Sequence, residues 1–244
     1  RGSRHGSNAA ALGKKGVRGR SAHDSSKRAH TMPLRVATPG APLRLAVLAS
    51  GSGSGMEALV RYQHGAETAL HTTVVVVTDK ANAGVIQRAT ALGCVVEVVP
   101  LPSVDDRVAR RAAHEDLIQA KLESYEVEAV VLSGWMRLLT AAFVGRWKGR
   151  LVNIHPSLLP DFPGAHAHQD VLAAGATESG GTGHFVDAGM DTGPIIAQAA
   201  VPVHHGDDIA TLAERVKAEE HRLYPRVLDA LASGSISFDA PVLH

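Results

Sequence analysis

The sequence is poor in cysteine, and this excludes whole classes of protein. Cys94 is the single cysteine among 244 residues, and it lies within an apolar stretch. One thiol can form neither a disulfide framework nor a zinc site built from several thiolates. We therefore expect a chain that works in a reducing cytoplasm, with Cys94 as a buried structural residue.

Long hydrophobic runs are missing as well. Glycine, aspartate or proline interrupts each apolar segment, well short of the roughly 20 residues that a membrane-spanning helix needs. The first 31 residues contain no apolar stretch of the kind found in signal peptides. No association with a membrane is expected.

The charge is unevenly distributed along the chain. Residues 1–31 hold eight of the 25 Lys and Arg residues but one of the 24 Asp and Glu residues. The remainder is acidic, with 17 basic and 23 acidic residues, which argues against nucleic-acid binding. We interpret the segment ahead of Met32 as a vector-derived leader, with a natural disordered basic arm as the alternative, and we exclude residues 1–42 from the fold.

From Leu43 onward, short apolar runs alternate with amphipathic segments. Strands are predicted at 43–50, 72–79, 94–100, 128–134 and 151–157, and helices from 56 onward and at 83–93, 105–125 and 207–234. Residues 183–203 are typical of two strands joined by a turn. This order predicts an α/β fold: one domain over 43–244 with an open, doubly wound, mostly parallel sheet, helices on both faces and an antiparallel C-terminal addition. Pro225 should bend or break the last helix.

The stretch "LVNIHPS" places two polar residues near the end of a buried strand. Asn153 and His155 are two residues apart, so their side chains should project from the same face. The carboxyl end of a strand in an open α/β sheet is where ligands bind. A strand end with two ordinary hydrogen-bonded polar residues is the alternative.

The glycine-rich "GSGSG", residues 51–55, lies between a strand and a helix. Such loops bring backbone amides close to anions at a helix N-terminus. The spacing fits neither a Walker loop nor the dinucleotide fingerprint, so the choice is between a phosphate site and a plain tight turn. Asp79, further along, is a conceivable ribose-binding acid.

Fourteen histidines and a turn rich in aspartate also invite interpretation. The pairs His166/His168 and His204/His205 lack acids or thiols at complementary spacing, so no metal site is expected. Asp187 and Asp191 lie in a Gly-rich turn, where a carboxylate could orient an imidazole or simply support the turn.

Taken together, these segments resemble the phosphoribosylglycinamide formyltransferases, folate-dependent enzymes of purine synthesis. The motifs are "VNIHPSLLPDFPGAHAH", "HFVDAGMDTGPIIAQ", "SGWMRLL" and "EEHRLYP", and they occur in the family's order. The resemblance implies a Rossmann-like formyltransferase fold. It also implies transfer of the formyl group of 10-formyltetrahydrofolate, as co-substrate and without a metal, to the amine of phosphoribosylglycinamide.

The resemblance assigns the catalytic roles to Asn153, His155 and Asp191. In direct formyl transfer the amine attacks the formyl carbon, and negative charge develops on the formyl oxygen. Asn153 and His155 would donate hydrogen bonds to that oxygen. Asp191 would orient and charge the imidazole, or take the proton of the amine through water.

Binding residues follow from the same resemblance, with phosphate binding in the N-terminal half and folate binding and catalysis in the C-terminal half. The phosphate and ribose set is Gly53, Ser54, Gly55, Lys217 and Glu220. The folate set is Arg110, Met136, Arg137, Leu138, Leu139, Val186 and Asp187. Arg110 is expected to contact a carboxylate of the folate tail or the substrate phosphate.

Two positions depart from the family pattern. Gly55 stands where the family usually has asparagine, which removes one side-chain contact to the phosphate. Gly183 precedes His184 where a branched or small apolar residue is usual, and glycine weakens a strand slightly.

Rival functions share the same core. A 10-formyltetrahydrofolate hydrolase should carry an N-terminal regulatory domain, for which residues 1–42 are short and polar, and a methionyl-tRNA formyltransferase should carry a C-terminal RNA-binding domain. A non-catalytic folate or nucleotide module should lack one of the three catalytic groups. The oligomeric state is left open, a homodimer included.

Overall fold

Seven strands form one sheet at the centre of the protein. The computed structural model describes residues 33–244, so the leader predicted ahead of Met32 lies outside the described residues. The strands are β1 (Leu43–Leu48), β2 (His71–Thr78), β3 (Val96–Val98), β4 (Ala129–Leu132), β5 (Leu151–His155), β6 (Glu178–Phe185) and β7 (Ile195–Pro202). The helices are α1 (Ser54–Gly65), α2 (Gly84–Ala91), α3 (Arg107–Ser124), α4 (Ala141–Arg146), α5 (Ala167–Ala173) and α6 (Ile209–Ala232).

The strand order β3-β2-β1-β4-β5-β6-β7 confirms the predicted fold class. β1 to β5 pair in parallel, whereas β6 and β7 are antiparallel additions at one edge. Alternate residues of β1 enter two different apolar clusters. Leu45 and Val47 pack with α1, α2 and α6, while Ala46 and Leu48 pack with α3 and α4. Helices therefore cover both faces of the sheet.

The order in which strands are added to the sheet reverses between β1 and β4, which are hydrogen-bonded parallel neighbours. From β1 the chain continues outward to β2 and β3, and it then returns to place β4 and β5 on the other side of β1. The glycine loop leaves the carboxyl end of β1, and Ser133 and Gly134 leave that of β4. The two segments are tied together, since the N–H of Ser50 donates to the carbonyl of Gly134 at 3.1 Å. Such a switch point opens a crevice in which ligands bind.

The closing helix α6 begins with a capping box. Asp208 accepts from the N–H of Thr211, and the Thr211 hydroxyl accepts from the N–H of Asp208. The helix runs through Pro225 without interruption, so the predicted break is absent. Even this helix of 24 residues carries many charges; over residues 33–244 no helix combines the length and the apolarity needed to cross a membrane.

Strand β6 begins at Glu178, five residues before the predicted start at 183. Its sequence "ESGGTGHF" lacks the alternation of apolar and polar residues that identifies strands. The glycines serve close packing: a Cβ on Gly183 would lie 3.0 Å from Cγ2 of Val227. Gly183 thus lets α6 approach the sheet, which gives a structural reason for the unusual residue.

Residues 33–42 belong to the folded unit, although the sequence placed them in the leader. Ala37 is buried and its N–H donates to the carbonyl of Ala232 at 2.8 Å. Arg35 pairs with Glu128, with Nη2 and Oε2 2.7 Å apart. The segment was missed because it is irregular and rich in proline, without periodicity, and its binding to the domain depends on partners distant in the chain.

Tyr224 on α6 should be a specific stabilising contact. Its buried hydroxyl lies 2.7 Å from the carbonyl of Leu132, at the end of β4, and 3.1 Å from that of Val152, near the start of β5. Tyr224→Phe should lower the free energy of unfolding by about 1–2 kcal/mol, because buried carbonyls lose their donor. Urea denaturation measures this. Tyr125→Phe, which removes a bond to Glu97 nearer the surface, is the control, and an equal loss in both variants would contradict the prediction.

Candidate active site

A cavity of about 490 Å³ opens at the carboxyl ends of β1, β4 and β5. It is bordered by the glycine loop, by the segment after β4, by the end of β5 and by one face of α6. The predicted site residues that it brings together are Gly53, Ser54, Gly55, Met136, Arg137, Leu138, Asn153, His155, Asp191, Lys217 and Glu220. The whole phosphate and ribose set, three residues of the folate set and the three catalytic candidates thus meet around one space.

Two further cavities adjoin the first. One of about 340 Å³ is bordered by Leu139, Val186 and Asp187 and shares Asn153 and Asp191 with the main cavity. The other, of about 310 Å³, is bordered by Arg110. Trp135, Arg137 and Leu138 border all three cavities. The segment after β4 is therefore the common wall of the site.

The imidazole of His155 lies between two acceptors. Its Nε2 donates to the carbonyl of Phe162 at 2.9 Å, and its Nδ1 lies 3.5 Å from Oδ2 of Asp191. Both side chains are largely buried, with exposed fractions of 7% for His155 and 12% for Asp191. An imidazole can donate from both nitrogens only as the imidazolium. The site can therefore hold a positive charge beside a carboxylate.

The Asp191 carboxylate is held in place by its loop. The residue has a φ of 54°, in the left-handed region, which asparagine and aspartate tolerate better than most residues. The N–H of Gly164 donates to Oδ2 of Asp191 at 2.8 Å. Asp187 plays a different part, because its Oδ1 accepts from the N–H of Gly189 and from the Thr192 hydroxyl. Of the two acids in the turn, one supports the loop and the other faces the imidazole.

His184 was not among the predicted site residues, yet it contacts Asn153 directly. Its Nδ1 donates to the carbonyl of Phe185 at 2.9 Å, so Nε2 is left as an acceptor. The amide nitrogen of Asn153 lies 3.3 Å from that Nε2. Burial lowers the pKa of His184, which keeps the ring neutral. His184 thus sets the orientation of the amide and leaves its second N–H for a ligand.

His184 could have been identified from the alignment of β6 with β5. Asn153 is directly paired with His184 across β5 and β6, and directly opposed side chains on neighbouring strands are in contact. Sequence reasoning placed both strands but not their alignment, so it could not pair the two residues.

The glycine loop presents backbone amides to the cavity. Gly53 precedes α1 with a φ of 79°, and a Cβ there would lie 2.6 Å from Cγ2 of Val85. The N–H of Val85 donates to the carbonyl of Gly51 at 3.0 Å and so fixes the loop against α2. The first N–H groups of a helix lack intrahelical partners, so the start of α1 can bind an anion.

Lys217 and Glu220 lie one turn apart on α6 and face the same cavity. The Lys217 ammonium contacts Glu214 at 2.9 Å. Burial raises the pKa of Glu220 to about 7, while the charge of Lys217 opposes the rise. Glu220 is therefore a carboxyl group that can both donate and accept near neutral pH.

Two arginine assignments change with the structure. Arg137 borders the cavities, but its guanidinium binds the buried carboxylate of Asp79 at 2.6 Å. Asp79 does not border the main cavity, so the idea of a ribose-binding acid there is wrong. Arg110 borders one side cavity only, whereas Arg111, which was not predicted, borders both side cavities. Adjacent helical residues point about 100° apart, and the sequence did not say which of them faces the site.

The neighbouring histidines His166 and His168 differ in their surroundings. His166 is exposed, while His168 borders the cavity and burial lowers its pKa. Within the part of the chain that the structure describes, no three His, Cys, Asp or Glu side chains are grouped so that they could hold a metal ion.

Comparisons with known proteins agree with this geometry. The family model described as formyl transferase matches residues 43–228. Phosphoribosylglycinamide formyltransferase of Mycobacterium tuberculosis is 42% identical over 205 residues, which cover 84% of this chain and 92% of that protein. The crystal structure of glycinamide ribonucleotide transformylase 1 from Symbiobacterium toebii superposes with a TM-score of 0.76 at 37% identity, covering 82% of this chain and 92% of that one.

A second group of relatives is much longer. The trifunctional purine biosynthetic protein adenosine-3 of Bos taurus is 41% identical over 194 residues, which are 79% of this chain but 19% of that protein. The matching region is thus a small part of the longer relatives. The family model spans most of the chain, and the identity to relatives of similar length is high. The chain belongs to the formyl transferase family.

Proposed function

We propose that the protein transfers the formyl group of 10-formyltetrahydrofolate to the amine of phosphoribosylglycinamide in purine synthesis. The observation that carries the proposal is the meeting of Asn153, His155 and Asp191 in a cavity that also contains the glycine loop. An amide, an imidazole and a carboxylate suit acyl transfer, and the loop suits a phosphate. The relatives named phosphoribosylglycinamide formyltransferase support this substrate pair.

The ribonucleotide binds between the start of α1 and the face of α6. Its phosphate lies on the backbone amides of Gly53, Ser54 and Gly55, where the helix dipole favours negative charge. Glu220 accepts from the ribose hydroxyls, and Lys217 adds a positive charge on the same side of the cavity. The glycine loop in the N-terminal half thus anchors the part of the substrate that does not react.

The folate binds on the other side of the common wall, in the cavity of about 340 Å³. Backbone groups of residues 136–139 and of the turn at Val186 and Asp187 contact the pterin. The exposed apolar side chains of Leu138 and Met190, which border this cavity, cover its ring system. The carboxylates of the folate tail reach α3, where Arg111 is placed better than the predicted Arg110 because it borders both side cavities.

The transfer itself takes place beside Asn153 and His155. The amine attacks the formyl carbon, and the carbonyl oxygen gains negative charge in a tetrahedral intermediate. The free N–H of Asn153 and the imidazolium of His155 donate to that oxygen, for which His155 exchanges its contact with the Phe162 carbonyl. When the intermediate collapses, the bond to N10 of the folate breaks, N10 gains a proton and the amine loses one. Each donor to such an oxyanion is worth about 3–4 kcal/mol.

The proposed setting is the cytoplasm. Cys94 is half-buried, and burial raises the pKa of its thiol, so it stays protonated at neutral pH. A lone, protonated thiol suits a reducing compartment.

The activity is tested by tetrahydrofolate formation from 10-formyltetrahydrofolate, followed by absorbance with and without phosphoribosylglycinamide. Turnover should require the ribonucleotide, because its amine is the nucleophile of the proposed transfer. Equal turnover in its absence would favour the hydrolase. No turnover under either condition would favour a non-catalytic binding module.

The catalytic roles predict two severe variants. His155→Ala and Asp191→Asn should each lower kcat by about a hundredfold to a thousandfold, since the oxyanion loses its charged donor. Folate binding, measured by fluorescence titration, should be largely unchanged. The control is His166→Ala, which changes an exposed residue between β5 and α5. This variant should keep the wild-type kcat. Near-normal rates in either site variant would refute the roles.

The raised pKa of Glu220 predicts a pH-dependent stability. Between the ordinary carboxyl pKa of 4.5 and a value of about 7, the folded state holds a proton that the unfolded state has released. The contribution of Glu220 to stability therefore falls as the pH rises through this window. Glu220→Gln removes the effect, so its stability relative to wild type should rise by about 2 kcal/mol between about pH 5 and about pH 8.

Urea denaturation at both pH values measures the difference. Glu219→Gln is the control, because Glu219 pairs with Arg222 outside the cavity. A stability difference between Glu220→Gln and wild type that does not change with pH would contradict the assignment.

A further inference from the structure

The hydroxyl of Ser133 occupies the space next to position 55 at the start of α1. A Cβ built on Gly55 would lie 2.5 Å from Oγ of Ser133 and 3.8 Å from its Cβ. The formyltransferases that the sequence resembles usually carry asparagine at this position. In this chain the space beside the loop is filled instead by a side chain from the end of β4.

Ser133 is firmly positioned, but its hydroxyl is not used by the protein. It directly follows β4, and its N–H donates to the carbonyl of Leu48 at 3.0 Å. The side chain is half-buried and borders the main cavity. No hydrogen-bond partner for Oγ exists among residues 33–244. The hydroxyl therefore borders the cavity and is available to donate a hydrogen bond to a molecule bound there.

The neighbouring serine shows the contrast. The hydroxyl of Ser50, at the end of β1, accepts from the N–H of Met136 at 3.1 Å and thereby supports the common wall. The Ser133 hydroxyl makes no such hydrogen bond within residues 33–244. Its Oγ lies beside Gly55, within reach of a group bound at the glycine loop.

We propose that Ser133 is a substrate-binding residue whose hydroxyl donates a hydrogen bond to an oxygen of the phosphoribosyl group. This inference rests on the proposed function, which places the phosphoribosyl group on the glycine loop. Ser133 replaces the side-chain contact that is lost with glycine at position 55. The chain then still has a side-chain donor at this place, supplied by Ser133 where the family usually has the asparagine at position 55.

The first test compares wild type with Ser133→Ala. Ribose 5-phosphate is titrated by calorimetry, and loss of a bond to a charged acceptor should weaken its binding about tenfold. In the steady state, KM for phosphoribosylglycinamide should rise by the same factor while kcat changes little, as for a group that binds substrate and transition state alike. KM for the folate should not change. Ser103→Ala, at an exposed serine outside the cavities, is the matched control.

The second test uses the steric contact. Gly55→Ala should push the Ser133 hydroxyl out of its position, because the new Cβ and Oγ would be 2.5 Å apart. It should therefore weaken ribose 5-phosphate binding as Ser133→Ala does. The double variant should be no worse than Ser133→Ala alone, since the remaining 3.8 Å contact is ordinary. Independent roles would instead give additive effects.

The outcomes separate this inference from the proposed function. Equal affinities of wild type and Ser133→Ala for ribose 5-phosphate overturn the role of Ser133 even if the wild type transfers formyl groups. Additive effects of the two substitutions overturn the exchange between positions 55 and 133. Absence of ribose 5-phosphate binding by the wild type overturns the inference together with the phosphate site. If the wild type binds ribose 5-phosphate but shows no turnover, the proposed reaction is overturned. The role of Ser133 is still tested in that case, because the titration measures binding without turnover.

Discussion

The approach of the Asp191 carboxylate to the His155 imidazole is the contact on which the rest of the site depends. The two residues come from different parts of the sheet, one from the end of the parallel half and one from the turn between the antiparallel strands. Bringing them within 3.5 Å requires β6 to pair with β5 in one register and the turn to hold Asp191 in a left-handed conformation. The antiparallel addition is therefore part of the proposed catalytic site. It carries the acid to an imidazole that the parallel sheet already presents.

The amide of Asn153 and the carboxylate of Asp191 share a second property: each is held in position by a hydrogen-bonding partner in the protein. Asn153 is held by His184, and the Asp191 carboxylate by the N–H of Gly164. Such partners fix the direction of a donor before substrate arrives, which reduces the reorganisation needed in the transition state. His155 differs, since both of its nitrogens face protein acceptors. In the proposed reaction, its contact with Phe162 is the one that is exchanged when the formyl oxygen binds.

Much of this arrangement could be predicted from the sequence, and the failures have physical causes. The buried parallel strands contain continuous apolar runs that end at polar residues, glycine or proline, so β1, β2 and β4 were found within a few residues of their observed bounds. The start of β6 was missed because its glycines serve packing under α6, which no local pattern records. His184 and Arg111 were missed because strand register and the facing side of a helix are tertiary facts. The ribose role considered for Asp79 failed because its side chain pairs with Arg137 through Oδ2 and does not border the main cavity.

Where this chain has glycine and the family usually has a larger residue, the effect depends on which neighbouring side chain fills the space. At position 183 the missing side chain is replaced by Val227, which packs against the bare backbone. At position 55 it is replaced by the Ser133 hydroxyl, again from a distant part of the chain. A close-packed interior leaves little empty space, so the loss of a side chain at one position is matched by a neighbour that enters its volume. Because that neighbour brings its own chemistry, a glycine beside a binding site can mark where a different residue has taken over the contact.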